Sequence, residues 1–187
     1  GSKFEKSIRA MSGRVDGLII MSPTIGSEQL RSLIPQHLPT VLMNATDTSG
    51  SFATVSVDNR GGAMLAVKHL ISLGHTHIAH VSGLDQSDDA RLRAEGYRAA
   101  MHEAGLDRFI TEVRGSYTVE SGIPAVRAIL SMTERPTAIF SSNDAMLLGA
   151  LPVLRDQGIR VPEDIAVVGF DDIPRAAATV PALTTIR

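Results

Sequence analysis

Arg93 and Asp171 are candidates for contact with a small polar molecule. Arg93 lies in a predicted helix, and its planar guanidinium suits paired hydroxyl or carboxylate oxygens. Asp171 follows an apolar run at residues 165–170, so it lies outside the carboxyl end of a predicted strand, where open α/β sheets bind ligands. The alternatives are a solvated helix arginine and a turn in which Asp171 or Asp172 caps the segment before Pro174.

Three further side chains could add contacts near the same strand ends. Asn143 follows a predicted strand at residues 137–141 and precedes a helix, so it could bind a ligand or cap that helix. Tyr117 follows a strand predicted at residues 109–113 and could stack on an apolar sugar or base face, or fill the core. Asp89 could add a polar contact, and stabilisation of a first helical turn explains it equally well.

Composition and missing motifs disfavour most catalytic classes. The 187 residues contain no cysteine, which excludes disulfides, zinc ribbons and thiol catalysis. His75 and His77 have strand spacing without a third ligand, so we expect no metal and no cofactor. No dinucleotide, P-loop or nucleophile-elbow motif occurs. The remaining enzyme alternative is a small α/β enzyme that uses Asp171 with His75 or His77.

Charge and hydropathy describe a protein that neither grips DNA directly nor crosses a membrane. Lys and Arg total 18 against 20 for Asp and Glu, and the formal net charge is -2. No apolar run approaches the ~20 residues that cross a bilayer, and no signal-peptide pattern opens the chain. We therefore expect a soluble protein, and the absence of cysteine fits a reducing cytoplasm.

Short apolar runs alternate with helical segments, which predicts an α/β fold with parallel sheets flanked by helices. Several runs are continuously apolar, as in strands covered on both faces. Glycines at 74, 105 and 158 follow three of the helices at the position of a left-handed helix end. We predict strands at residues 15–21, 40–43, 52–57, 77–82, 109–113, 137–141 and 165–170, and helices at 27–34, 59–73, 89–104, 119–132 and 144–157.

The order of these elements predicts two lobes with a seam near Val57-Asp58-Asn59. Residues 1–57 hold three predicted strands and one short helix, too few for a complete doubly wound lobe. Residues 58–187 hold four predicted strands and four helices, which is nearly a whole lobe. We expect the first lobe to be incomplete and to leave strand edges and apolar faces uncovered.

Six sequence blocks, taken in order, resemble one family. That family is the effector-binding region of the lactose-repressor-like (LacI/GalR) bacterial transcription regulators, and the resemblance covers nearly the whole chain. The blocks are Val15-Asp16-Gly17-Leu18-Ile19, Val57-Asp58-Asn59-Arg60-Gly61-Gly62-Ala63, His69-Leu70 through Leu73-Gly74-His75, Arg91-Leu92-Arg93 with Gly96-Tyr97, Pro136-Thr137-Ala138-Ile139-Phe140 with Asn143-Asp144, and Val161-Pro162-Glu163-Asp164 through Gly169-Phe170-Asp171-Asp172.

The resemblance implies a two-lobed fold of periplasmic-binding-protein type that clasps a small polar, sugar-like metabolite between its lobes. It implies that Arg93 and Asp171 hold this effector, with Tyr117 and Asn143 beside it. It also implies that Asn44, where relatives carry Asp or Asn, faces the cleft from the first lobe.

The regulator implied by this resemblance is a homodimer. Effector binding would change its affinity for operator DNA, which it reads through a helix-turn-helix domain absent from these 187 residues. Family members also have further first-lobe elements before this segment and a helix and strand after it. The rival interpretation is a periplasmic sugar-binding protein of a transport system.

Overall fold

The computed structural model describes residues 3–11, 13–21, 27–44, 47 and 50–187. These residues form an α/β protein whose strands are all parallel to their neighbours, as predicted. The chain divides into two compact units, one of Gly1–Val57 with Gln86–Asp88 and one of Asp58–Asp85 with Asp89–Arg187. No helix in the described part of the chain is long and apolar enough to cross a bilayer.

The first unit is a three-stranded sheet with two helices. Its elements are α1 (Lys3–Met11), β1 (Leu18–Met21), α2 (Ser27–Leu33), β2 (Thr40–Met43) and β3 (Ala53–Val55), and the strand order is β1-β2-β3. Apolar side chains of both helices pack on one face of this sheet, in a cluster that includes Ile8, Leu30 and Leu42.

The run Leu18–Met21 is continuously apolar, as in a strand covered on both faces, but burial alternates along β1 and this prediction is wrong. Leu18 and Ile20 are buried, whereas Ile19 is 75% exposed and Met21 is 64% exposed. The physical reason is that both described helices of this unit pack into the cluster on a single face. Val55 on β3 is also exposed, which leaves an apolar second face.

The second unit contains a five-stranded sheet flanked by helices. The elements are α3 (Asn59–Ser72), β4 (Ile78–Ser82), α4 (Asp88–Glu103), β5 (Thr111–Arg114), α5 (Val119–Leu130), β6 (Ala138–Ser141), α6 (Asp144–Asp156), β7 (Ala166–Phe170) and β8 (Thr184–Ile186). The strand order is β5-β4-β6-β7-β8. Helices cover both faces of the central strands, and β4, β6 and β7 are almost wholly buried. One face packs on α5 and α6, and the other packs on α3 and α4.

Most helix ends of the second unit follow from the sequence. Gly74, Gly105 and Gly158 have φ angles of +92°, +70° and +71°, which confirms that each glycine leaves its helix in the left-handed region. Thr118 is the N-cap of α5, and its side chain accepts a hydrogen bond from the N–H of Ser121. The predicted starts of α3, α5 and α6 are confirmed.

Two strand predictions in this unit are wrong in detail. The strand predicted from residue 109 begins at Thr111, because Asp107–Phe109 forms a 3-10 turn and the Ile110 N–H bonds to the Asp107 carbonyl. The edge strand Thr184–Ile186 was not predicted. Its three residues are too few, and too polar, to show a strand pattern in the sequence.

Candidate functional site

Arg93 is a buried arginine on the inner side of α4, with a side chain that is 6% exposed. Its Nε donates to Asn59 Oδ1 at 2.7 Å, and its Nη1 donates to the Ser142 carbonyl and to Asp171 Oδ1, the latter at 3.1 Å. The guanidinium carbon lies 3.7 Å from the centroid of the Phe170 ring, a cation–π contact. The alternative of a solvated helix arginine is therefore wrong.

One end of the Arg93 guanidinium remains available to a ligand. Nη2 makes no hydrogen bond to the described residues, and it is not among their fully buried unpaired atoms. Because Nε and Nη1 are held by protein oxygens, the two N–H groups of Nη2 are fixed in direction before any ligand arrives. A preorganised donor pair of this kind reduces the ordering cost of binding.

Asp171 contacts the same guanidinium through Nη1 and lies directly after β7, as predicted. Its side chain is 38% exposed, and only Oδ1 contacts Arg93, so Oδ2 has no hydrogen-bond partner in the described part of the chain. Burial raises the pKa of Asp171, Arg93 opposes that rise, and the Asp144 and Asp89 carboxylates add to it. The contacting guanidinium and carboxylate thus keep one donor nitrogen, Nη2, and one acceptor oxygen, Oδ2, without a partner among the described residues.

The neighbouring aspartate has a different contact. Asp172 Oδ2 accepts a hydrogen bond from Arg187 Nε at 2.5 Å. Asp171 and Asp172 have φ angles of +102° and +49°, so the chain turns sharply here and sends their side chains to different partners. The sequence left Asp171 and Asp172 as alternatives for the turn, and the structure distinguishes them because Asp171 contacts Arg93 and Asp172 contacts Arg187.

A buried carboxylate, Asp144, holds this turn in place. Its Oδ1 accepts from Thr185 Oγ1 at 2.7 Å, and its Oδ2 accepts from the Ile173 N–H at 3.0 Å. Burial raises the pKa of Asp144, and these hydrogen bonds oppose the rise. Asp144 therefore ties the start of α6 to the loop after β7 and to β8, which positions Asp171.

Asn143 is the N-cap of α6 and is 7% exposed. Its Oδ1 accepts from the Met146 N–H, and its Nδ2 donates to the Tyr117 carbonyl, both at 3.1 Å. The capping alternative is confirmed, and it uses one lone pair of the oxygen and one proton of the amide. The remaining lone pair and proton are compatible with a ligand contact.

Tyr117 is half-buried and packs against the core between the sheet, α5 and α6. Its ring lies over Gly83, where an added Cβ would come within 2.1 Å of Tyr117 Cζ. Only a glycine at position 83 leaves room for this ring. Much of the Tyr117 ring therefore fills the core, as the alternative interpretation expected.

Asp89 and Asn59 complete the group around Arg93. Asp89 Oδ1 accepts from Asn59 Nδ2 at 2.8 Å, so Asn59 bridges Asp89 and Arg93 with its two amide atoms. Sequence reasoning did not select Asn59 as a site residue. The available signal was a buried polar residue at the first position of α3, and burial is visible only in the structure.

Asn44 belongs to the first unit and follows β2. Its φ angle is +52°, which asparagine tolerates better than most residues, and its N–H donates to the Val55 carbonyl at 2.9 Å. A role for its side chain in ligand binding stays a prediction.

The histidines of the enzyme alternative lie at the wrong edge of the sheet. His75 and His77 precede β4, whereas Asp171 follows β7, and the two strands run in the same direction, so about 15 Å of strand separates the edges. His75 bonds to Thr137 Oγ1 and His77 to Thr111 Oγ1. The proposed catalytic pairing is therefore wrong. Within the described ranges no three His, Cys, Asp or Glu side chains form a group that could hold a metal ion.

Comparison with known proteins identifies the domain type. The periplasmic binding protein-like domain family matches residues 67–187. The ribose operon repressor of Escherichia coli (strain K12) is 40% identical over 182 residues, which cover 95% of this chain and 54% of the repressor. The chain spans about half the length of the curated relatives it matches.

Solved structures of regulators superpose on almost the entire chain. A LacI-family regulatory protein from Chloroflexus aggregans has a TM-score of 0.85 at 32% identity, over 99% of this chain and 69% of that one. The lac repressor dimer bound to operator and the anti-inducer ONPF has a TM-score of 0.86 at 29% identity, over 97% and 63%. The fold, the family model and these similarities together show that the chain belongs to the LacI family of transcriptional regulators and carries part of their periplasmic-binding-protein-like domain.

Proposed function

We propose that this chain is the effector-sensing part of a bacterial transcription regulator and that it binds a small, polar, sugar-like metabolite. The observation that carries the proposal is the contact between the buried Arg93 and Asp171, which leaves Nη2 of one and Oδ2 of the other without a partner among the described residues. Asp89, Asn143 and Tyr117 extend the same site, and Asn44 contributes from the first lobe.

The chemistry of the site suits adjacent hydroxyl groups. Nη2 donates to one hydroxyl oxygen, and Asp171 Oδ2 accepts from a neighbouring hydroxyl proton. Each hydrogen bond to a charged group contributes about 1.5–3 kcal/mol. Asp171 contacts Arg93, and the Asp89 carboxylate raises the pKa of Asp171, so the negative charge near Arg93 favours a neutral polyol over an anion. D-ribose is the first effector to test, because the ribose operon repressor is among the relatives.

Effector binding would act by favouring one orientation of the lobes at residues 1–57 and 58–187. In a homodimer such a change alters the spacing of the two operator-reading domains of the whole protein. The similarity to a lac repressor dimer bound to operator supports this assembly. A typical allosteric coupling of about 1–3 kcal/mol changes operator affinity about 5- to 150-fold.

The relatives favour regulation over the two rival functions. They include the ribose operon repressor of Escherichia coli and the HTH-type transcriptional repressor PurR of Vibrio atlanticus, which does not favour a periplasmic transport protein. We infer that the protein acts in the cytoplasm, where its operator lies, and that its site binds a ligand without catalysing a reaction.

A ligand screen on the full-length protein tests this function. Thermal unfolding is followed with D-ribose, cellobiose and purine bases at millimolar concentration, and an effector at 100 times its Kd should stabilise the protein by about 2.7 kcal/mol. The same compound should change operator affinity in a gel-shift titration. A stabilising compound that leaves operator affinity unchanged would contradict the regulatory role, and its chemical conversion would support an enzyme.

A further inference from the structure

His80 is a fully buried histidine in the middle of β4. Its ring stacks on Phe140, with centroids 5.1 Å apart and an interplanar angle of 13°, and its centroid lies 5.1 Å from that of Tyr97. A polar ring in such an apolar position is costly unless its nitrogens are satisfied. Its Nε2 lies 2.9 Å from Ser142 Oγ, which is the one hydrogen bond that the ring makes within the described residues.

Ser142 connects this histidine to the candidate site. Its side chain bonds to His80, its N–H donates to the Val81 carbonyl at 2.8 Å, and its own carbonyl accepts from Arg93 Nη1. Because Ser142 is fully buried between β6 and α6, these three contacts fix both its side chain and its peptide. A change in the contact between His80 and the Ser142 hydroxyl should therefore shift the Ser142 carbonyl oxygen, which accepts a hydrogen bond from Arg93.

The surroundings of the other ring nitrogen determine which one carries the proton. His80 Nδ1 lies 3.8 Å from Glu112 Oε2, and Arg98 binds Glu112 with two hydrogen bonds of 2.6 and 2.9 Å. His80 and, to a smaller extent, Arg98 lower the pKa of Glu112 to about 2. This carboxylate is therefore charged at neutral pH. A lone pair on Nδ1 would be repelled by it, whereas an N–H is attracted.

The charged groups around His80 lie on two elements. Glu112 is on β5, and Arg98 and Arg93 are on α4. Burial lowers the pKa of His80, the carboxylate opposes that change, and the two arginines add to it. The ring is therefore neutral at neutral pH, with its proton on Nδ1 and an accepting lone pair on Nε2.

We propose that His80 is a positioning residue for the effector site: its neutral ring accepts a hydrogen bond from the Ser142 hydroxyl through Nε2 and so holds the Ser142 carbonyl against Arg93. His80 touches no ligand and acts through Ser142 on the direction of the guanidinium. The importance of this direction for binding rests on the proposed function, but the state of Arg93 can be measured without any effector.

The first experiment reads the tautomer of His80 in the full-length protein. Long-range proton–nitrogen NMR correlation on histidine-labelled protein at neutral pH distinguishes a protonated nitrogen from one with a lone pair. We expect His80 to be neutral, with Nδ1 protonated and Nε2 unprotonated. A proton on Nε2, or a charged ring, would overturn the proposed hydrogen bond.

The second experiment compares His80→Leu with His80→Gln by following the Arg93 Nη1–H signals in ligand-free protein, because Nη1 donates to the Ser142 carbonyl. Leucine fills the space without an acceptor, whereas the glutamine amide oxygen can replace Nε2. Loss of about one hydrogen bond at Nη1 should raise the exchange rate of the Arg93 Nη1–H with solvent about fivefold in His80→Leu, and His80→Gln should restore most of the protection. Ser142→Ala removes the hydroxyl donor with a smaller change of volume, and it should raise the Arg93 exchange rate as much as His80→Leu does. It serves as the test if His80→Leu folds poorly.

Tyr97→Phe is the matched control for a general loss of packing. It removes a buried hydroxyl that bonds to the Ile78 carbonyl and the Thr111 N–H, but keeps the ring against His80. We expect lower stability and an unchanged Arg93 signal. An Arg93 signal that is unchanged in Ser142→Ala, or equally changed in Tyr97→Phe, would overturn the proposal. Absence of any effector in the screen would contradict only the proposed function.

Discussion

Two arginines on α4 show how the surroundings of a side chain decide its role. Arg93 is buried among oxygen acceptors of Asn59, Ser142 and Asp171. Arg91, two residues earlier, is 52% exposed and contacts Glu95 across one helical turn. The two residues carry the same charge on the same helix, so they form an internal comparison.

Arg93→Ala should lower effector affinity about 30- to 1000-fold, because it removes charge-assisted hydrogen bonds worth about 2–4 kcal/mol. It should also lower the free energy of unfolding by about 1–3 kcal/mol, since Asn59 and Ser142 lose their donor. Arg91→Ala should change affinity less than about threefold. Calorimetric titration with the effector found by the screen measures both, and equal affinities of the two variants would refute the site assignment.

Asp171 should make effector binding sensitive to acid. Its pKa is raised above the ordinary 3.8, so the charged form, whose Oδ2 accepts a hydrogen bond from an effector hydroxyl, is lost at a higher pH than for a solvated aspartate. Wild-type affinity should therefore fall as the pH is lowered through this raised pKa. Asp171→Asn should bind about 30- to 1000-fold more weakly at neutral pH and show a flatter pH profile. Persistence of the full acid dependence in Asp171→Asn would assign it to another group.

At the scale of elements, Glu112 joins the edge strand β5 to α4 through Arg98 and faces His80 on β4. The pKa of Glu112 is about 2 in the folded protein, below the ordinary 4.5. Its contribution to stability is therefore present above pH 4.5 and is lost as the pH falls from 4.5 toward 2. Glu112→Gln should cost about 1–3 kcal/mol at neutral pH, a loss that shrinks on acidification.

Urea unfolding from pH 7 down to about pH 2 measures this effect, because the contribution of Glu112 is lost between pH 4.5 and about 2. Glu95→Gln is the control, because it removes the same type of charge from an exposed pair with Arg91 and should cost less than about 0.5 kcal/mol. An equal loss for the two glutamate variants at neutral pH would contradict the stabilising role of Glu112.

The elements of the second unit were largely predictable, since buried strands and glycine-terminated helices leave local signals. The two failures have different causes, one local and one long-range. Phe109 is apolar enough for a strand but ends a 3-10 turn, and Thr184–Ile186 becomes a strand only because β7 offers it an edge.

At the candidate site, local sequence position was enough to predict Asp171 as a site residue but not enough to predict Asn59. Asp171 follows a recognisable apolar strand, and the family resemblance selected Arg93. Asn59 and Ser142 are buried, and both contact Arg93, from which they are separated by 34 and 49 positions in the sequence. Sequence spacing does not reveal such contacts.

At the scale of the whole molecule, the apolar face of the β1-β2-β3 sheet governs association of a protein made of these 187 residues alone. Ile19, Met21 and Val55 are 75%, 64% and 58% exposed. Contiguous apolar surface of this kind drives self-association. We expect concentration-dependent oligomers in sedimentation at micromolar concentration, and Ile19→Lys with Met21→Lys should reduce them.

Leu65→Lys is the control for this association, because Leu65 is 63% exposed on α3 in the second unit. It should leave the sedimentation profile unchanged. A stable, monodisperse monomer with cooperative unfolding would show that the exposed sheet face needs no cover. For the full-length protein we expect a homodimer, and a strict monomer at micromolar concentration would count against regulation.

The way Arg93 is held has an evolutionary consequence. Nε and Nη1 are bound by Asn59, Ser142 and Asp171, so a mutation at Asn59 or Ser142 disturbs the guanidinium whatever the effector is. Tyr117 and Asn143 make no hydrogen bond to the Arg93 guanidinium in the described part of the chain. Under the proposed function we therefore expect substitutions at Tyr117 and Asn143 to change which effector binds, whereas substitutions at Asn59 and Ser142 should weaken the binding of any effector.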